Sequence, residues 1–281
     1  MRTASSANTA RKMESKVVFK SFSSGSAGNC YYLGIDQDGR HEGILIDAGV
    51  SLRRVKKELG AEGIGLDAFD AVLVTHDHMD HIRSLGSFCK HLGRPVWATK
   101  ELHGALSRHI LTHEYIAGCR RILEPDKWTP IAGGLIYVRY FIVPHDATQT
   151  VGFAIKIGSH RYVHITDCGE MTREATEFCA QADTVVLESN YDTQMLLTGP
   201  YPQELKERIL NGKGHLSNDE CAKAIEEFMH PGLRNLFLCH LSENNNTPKL
   251  AYESARSAIK EDINIRLQTL PRTSPSPLII L

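Results

Sequence analysis

No apolar run in this 281-residue chain approaches the roughly 20 residues that a membrane-spanning helix needs, so no membrane is expected as a partner. Net charge is nearly missing too: 32 Lys and Arg stand against 33 Asp and Glu, a formal −1. Proteins that grip nucleic acid along a broad face usually carry a basic excess, so any such contact must rest on local patches. Cysteine comes without a framework: seven residues, no regular spacing and no CxxC pair. That usage suits reduced thiols in a cytoplasmic setting rather than disulfides. No GK[ST] follows the Gly/Ser-rich segment 23–29, which excludes a P-loop. Residues 1–15 lack the apolar core of a secretory signal, and their Ser, Ala and Thr content predicts a disordered leader. No fixed-period repeat and no composition shift marks a domain cut. One domain over 16–270 is expected, followed by a Pro/Ser-rich frayed tail, 271–281.

What is present is a short β-branched run, 71–74, followed at once by Thr75-His-Asp-His-Met-Asp-His81. The run reads as a buried strand. His76, His78, Asp80 and His81 then fall at its end, where backbone can splay them toward one point. Imidazole and carboxylate suit zinc, manganese or iron. A hydrophobic strand gains nothing from ending in three histidines, so the spacing points to metal.

Other predicted strands end in the same way. Residues 135–143 lead into Pro144-His145-Asp146, and 161–165 into Thr166-Asp167-Cys168-Gly169. Residues 184–187 lead into Glu188, and 235–239 into His240. His164 lies inside its strand and reads as packed. His91, His103, His109 and His113 lack ligand-like spacing and read as surface or helix-end residues. Asp47 either bonds a metal ligand from behind or caps the helix that begins near Ser51. Segment 23–29 reads as a turn between two strands, or as a site wall whose Ser24, Ser26 and Asn29 touch substrate. Short strands dominate, with helices between some of them, and the pattern predicts an α/β four-layer αββα sandwich.

His76, His78, Asp80, His81, His145, Asp167 and His240 are too many ligands for one transition metal. Two divalent ions about 3.5–4 Å apart would use them all. His76, His78 and His145 would hold one, and Asp80, His81 and His240 the other. Asp167 would bridge, since a carboxylate can serve two metals. A bridging hydroxide would then attack, and hydrolysis is the natural reaction class, with Asp80 at its centre. His215, flanked by Gly214, is free either to meet the scissile phosphate and protonate the leaving oxygen or simply to begin a helix. Lys213 and Ser217 are further candidate substrate contacts, although Ser217 and Asn218 also read as helix caps. Lys206 and Arg208 could line a strand path, with Arg53 and Arg54 on a basic helical face.

The first motif matches the HxHxDH signature of the metallo-β-lactamase superfamily, and His145, Asp167 and His240 follow in the order of its later ligand motifs. More narrowly, the chain resembles the YycJ/WalJ group. The resemblance rests on Ser23-Ser-Gly-Ser-Ala-Gly-Asn-Cys30, Leu187-Glu-Ser-Asn-Tyr-Asp192, Gly214-His-Leu-Ser-Asn218 and Cys239-His-Leu-Ser-Glu-Asn-Asn245. It implies a metallo-β-lactamase αββα sandwich, a dinuclear site, cytoplasmic location and 5′→3′ exonuclease action on DNA, commonly with manganese. The group often has His where this chain has Tyr191. The alternative is a small-molecule hydrolase on the same centre, such as a cyclic phosphodiesterase or a thioester hydrolase. A diiron redox module fits less well, because His78 occupies the place of its extra carboxylate. A structural zinc protein fits less well again, since such sites are closed four-ligand shells.

Overall fold

The computed structural model describes residues 15–210 and 214–281. The expected leader, 1–15, therefore lies outside the described residues except for Ser15. Among the described residues, the strands form two seven-stranded sheets. The first contains β1 (Ser15–Gly25), β2 (Gly28–Gln37), β3 (Arg40–Ile46), β4 (Ala71–Leu73), β5 (Val96–Ala98) and β6 (Arg120–Ile122). The second contains β7 (Thr129–Pro130), β8 (Ile136–Val143), β9 (Thr150–Ile157), β10 (His160–Ile165), β11 (Thr184–Glu188), β12 (Asn235–Cys239) and β13 (Arg266–Thr269). A last strand, β14 (Ile279–Ile280), returns to the first sheet beside β1.

Two-residue alternation builds the four layers. In β2, Tyr31, Leu33 and Ile35 point into the core between the sheets, while Cys30 and Tyr32 point to the helical side. Across the inter-sheet core, Phe19 stacks on Phe237 with ring centroids 5.3 Å apart. Helices including Leu52–Gly60, Leu85–Leu92 and Lys100–Leu106 cover the outside of the first sheet. Arg173–Cys179, Asn218–Phe228 and Pro248–Ser257 cover the second. The αββα arrangement is thus present, because strands buried on both faces need a helix layer on each side.

Three expectations are corrected. Segment 23–29 is mostly strand: β1 runs on to Gly25 and only Ser26 and Ala27 form the turn. A bulge at Phe22 resets the pairing, so Ser21 faces Tyr31 and Ser23 faces Cys30. His103 is not a surface residue; it is buried, and its Nε2 donates to the Arg121 carbonyl at 2.7 Å. The segment 271–281 is not frayed. Ser276 N donates to Ser21 O at 2.8 Å, Ser21 N donates to Ser276 Oγ at 2.9 Å, and Ile279 and Ile280 pair with Phe19 and Val18. The edge of β1 offers unpaired backbone groups, and the apolar end Leu278–Leu281 supplies a strand that satisfies them.

β3, β4, β5 and β6 run parallel, as do β10, β11, β12 and β13. The carboxyl ends of β4, β8, β10, β11 and β12 thereby open onto one edge of the sandwich, which is where Pro144 to His145, Asp167, Glu188 and His240 emerge. Because Ile279 is buried against the inter-sheet core, Ile279→Ala should cost about 2 kcal/mol. Equilibrium denaturant unfolding measures it, and an unchanged midpoint would show that the last strand adds nothing.

Candidate metal centre

The candidate ligands follow strand ends or sit in the turn after one, and several are held from behind. His76 and His78 follow β4, and Asp80 and His81 sit in the short helical turn Met79–Ile82. Asp47, just past β3, resolves its two readings in favour of support: its carboxylate accepts from His81 Nδ1 at 2.7 Å and from Thr75 N and Oγ1, both at 2.8 Å. Ser51 itself caps the neighbouring helix. With Nδ1 donating to Asp47, the other ring nitrogen of His81 is left for a ligand.

The two predicted triads both assemble. His76, His78 and His145 bring one ligand atom each to within 4.8 Å of one another, as do Asp80, His81 and His240. His145 Nδ1 donates to Gly214 O at 2.6 Å, which turns Nε2 toward the first triad. Asp167 lies between them: Oδ1 is 3.7 Å from His145 Nε2, and Oδ2 is 3.1 Å from His81 Nε2. Its left-handed backbone (φ 51°) is shared by Asp47 (60°) and His240 (54°). Such conformations are uncommon outside glycine and persist where surroundings enforce them.

The donor set fits metal. Nε2 of His76 and of His240 are buried with no hydrogen-bond partner among the described residues, a costly state unless a ligand completes them. Burial holds His76, His78 and His145 below the usual imidazole range, so these rings are neutral and ready to coordinate. The second triad differs. Burial opposes charge on His81 and His240, but Asp167 and the other nearby carboxylates outweigh it; His81 is raised well above its ordinary value and His240 is pushed up to about 10. The same histidines hold Asp80 and Asp167 below the carboxylate range against the upward push of burial.

Glu188 was visible only as a strand-end acid, and its role in the site was missed. It is fully buried and accepts from His215 Nδ1 and His240 Nδ1, each at 2.9 Å, and from the amides of Cys168 (2.7 Å) and Leu216 (3.3 Å). One carboxylate thus fixes a candidate ligand, the imidazole of His215 and the loop of Asp167. No signal in the local spacing marks it apart from other buried strand ends. The ring of His215 lies 5.2 Å from those of His145 and His240 and faces the cleft.

Several expected substrate contacts are redirected. Ser24 is buried, bonds the Tyr31 hydroxyl and accepts from His240 N, both at 2.9 Å. Asn29 is buried and donates to Asp80 Oδ2 at 3.0 Å. Both buttress ligands rather than meet substrate, because the strand continues through them. Ser217, not Asn218, caps helix Asn218–Phe228, in a capping box with Glu220; its hydroxyl is spent there. Asn218 instead bonds Ser189 and Asn246, and Asn190 donates to the His240 carbonyl at 2.7 Å. The loops carrying Glu188, His215 and His240 are therefore knitted to each other. Ser26 keeps its place on the cleft wall with His215, Asn190, Ser242, Tyr201 and Arg208. Arg208 is ion-paired to Asp146, next to His145. Lys213 lies outside the described residues. Tyr191 is buried against Leu196 and Ile209, a packing position. His164 is also buried, its Nδ1 3.1 Å from the Tyr162 hydroxyl.

Residues 42–240 match the family model described as a beta-lactamase superfamily domain. Exodeoxyribonuclease YycJ of Bacillus anthracis is 31% identical over 248 residues, covering 86% of this chain and 89% of that protein. Exodeoxyribonuclease WalJ of Streptococcus pneumoniae is 30% identical over 229 residues, covering 82% and 83%. The metallo-β-lactamase fold protein YhfI from Bacillus subtilis superposes with a TM-score of 0.66 at 17% identity, over 94% of this chain and 99% of that one, a likeness of fold.

The contrast between the triads is measurable. Raised pKa values mean that metal-free His81 and His240 are protonated at neutral pH, so a cation must expel about two protons there and almost none at the first triad. Affinity of the second triad should rise with pH through the neutral range. Calorimetric metal titration in buffers of different ionisation enthalpy reads this directly, and equal proton release for both equivalents would contradict it.

Proposed function

The chain belongs to the beta-lactamase superfamily, within its YycJ/WalJ-like group of metal-dependent hydrolases, and from that premise we propose that it is a dinuclear phosphodiester hydrolase, a 5′→3′ exonuclease acting on DNA. The observation that carries the reading is Asp167, whose carboxylate lies between the two triads: Oδ1 is 3.7 Å from His145 Nε2 of the first and 3.5 Å from His240 Nδ1 of the second, and Oδ2 is 3.1 Å from His81 Nε2. His76, His78 and His145 would hold one divalent ion, and Asp80, His81 and His240 the other. Manganese or zinc suits the donors, and iron does also. Such ions would supply an activated water and would neutralise the charge that gathers on the phosphate during in-line attack.

The chain's own groups do the rest. Glu188 accepts a hydrogen bond from Nδ1–H of His215 and so aims Nε2 at the cleft, where a proton carried on Nε2 passes to the departing oxygen. It also orients His240. Asn29 steadies Asp80. Ser26, Asn190 and Ser242 line the cleft where the substrate chain enters. The seven free cysteines, all buried, are compatible with the reducing cytoplasm in which we place the protein. A cleft of about 180 Å³ also suits a compact phosphodiester or thioester; indifference of turnover to salt would favour that second reading.

Digestion of 5′-phosphorylated and 5′-hydroxyl duplexes and single strands with manganese tests the proposal. A 5′ label should leave early as a mononucleotide while a 3′ label stays on a shortening chain. Asp80→Ala should lose more than the roughly 10–100-fold that removing an outer support costs. Full activity in that variant would sink the dinuclear mechanism. Metal analysis of His145→Ala and His240→Ala should each show one ion lost more than the other.

A further inference from the structure

A near-neutral protein that works on a polyanion needs a local concentration of positive charge, and among the described residues the cleft lining holds a single arginine. Arg208, on the cleft wall, is already neutralised by Asp146. The β1–β2 hairpin offers a different set. Its tip residue, Ser26, lines the cleft beside His215, and Asn29 ties its far strand to Asp80.

Three arginines are pinned along this hairpin by backbone carbonyls. Arg83 Nη1 donates to Ala27 O at 3.1 Å. Arg54 Nη2 donates to Phe22 O at 2.7 Å and Thr273 O at 2.5 Å. Arg272 Nη2 donates to Asn246 O at 3.1 Å, while its own carbonyl accepts from Ser24 N at 3.1 Å and Ser23 Oγ at 2.6 Å. Its Cβ would lie 3.5 Å from a methyl group placed on Gly25, so the side chain lies against the hairpin near its tip. Arg83 is exposed, and Arg54 and Arg272 are half-buried. Among the described residues none of the three forms an ion pair with a carboxylate; their guanidinium partners are neutral carbonyls. Nε of Arg272 is buried with no partner at all among those residues.

We propose that Arg83, Arg272 and Arg54 form a track of uncompensated positive charge that carries the phosphate backbone of a nucleic acid along the hairpin to the metal centre. The proposal rests on the nuclease reading above. A carbonyl fixes a guanidinium without cancelling its charge, and five N–H donors leave several for phosphate oxygens. Anchoring also lowers the entropy lost when phosphate binds. The C-terminal segment thus has a second use beyond closing the sheet edge: it delivers Arg272 to the hairpin.

The test is steady-state degradation of a short 5′-phosphorylated DNA duplex by the metal-loaded protein across a salt series. Arg83→Ala with Arg272→Ala should raise KM about 10-fold or more at ~0.1 M salt and flatten the slope of log(kcat/KM) against log[salt] by about two, near one per lost phosphate contact. Lys at both positions should restore most of the slope. Arg256→Gln is the control, since Arg256 is likewise held by a carbonyl, that of Ile259, but sits in the last turn of helix Pro248–Ser257 and is not part of the cleft lining. It should behave as wild type. If Arg272→Ala unfolds, Arg83→Glu on the exposed side chain carries the same test, with a larger KM effect. Wild-type KM and slope in the double variant would overturn the track and leave the nuclease reading intact. A wild type that cleaves bis(p-nitrophenyl) phosphate but leaves every DNA untouched would overturn both.

Discussion

A single buried carboxylate, Asp167, sits between two ligand triads, and the rest of the site depends on how its charge is balanced. With Asp80 and Glu188 it places three carboxylates in a small, largely dry volume. Unpaired, each would be expensive to bury. Without metal the balance comes from protons on His81 and His240. Divalent cations at the two triads would take their place. Under the proposed dinuclear reading, proton and cation would compete for the second triad. The first triad has neutral rings and no such competition.

Geometry is enforced from outside the ligands. Asp47, Asp167 and His240 hold left-handed backbone conformations that cost on the order of 1–3 kcal/mol each. Hydrogen bonds hold His240 and Asp47 there. For His240, Ser24 accepts from its amide and Asn190 donates to its carbonyl. For Asp47, its amide donates to Leu73 O and its carboxylate is anchored on Thr75 and His81. Glu188 then links His240, His215 and the Asp167 loop through one side chain. The strain stays local because the two sheets that present these residues share a dry core, with Phe19 against Phe237 at its middle.

The β1–β2 hairpin joins these themes. It is buried on both faces, carries Ser24 and Asn29 to the backs of two ligands, and extends Ser26 into the cleft. Its outer edge is completed by the C-terminal segment. One element thus serves the core, the site and the approach to it.

The residues alone determined a good deal. Apolar runs ending in His or Asp marked the strands and seven candidate ligands, because a strand that stops in a cluster of imidazoles has no packing reason to do so. The four-layer sandwich and the pairing of ligands into triads were legible from the same pattern. Only the tertiary structure decided what stands behind the ligands. Glu188, Ser24 and Asn29 show nothing of these roles in sequence, and Asp47 carries two readings there; the choice comes from strands distant in the chain meeting at one edge. Tyr191 became a packing residue for the same reason. The end of the chain looked frayed because its Pro and Ser content hides an apolar finish. What ordered it was the unpaired edge of β1, more than 250 residues away in sequence, a partner that local composition cannot reveal.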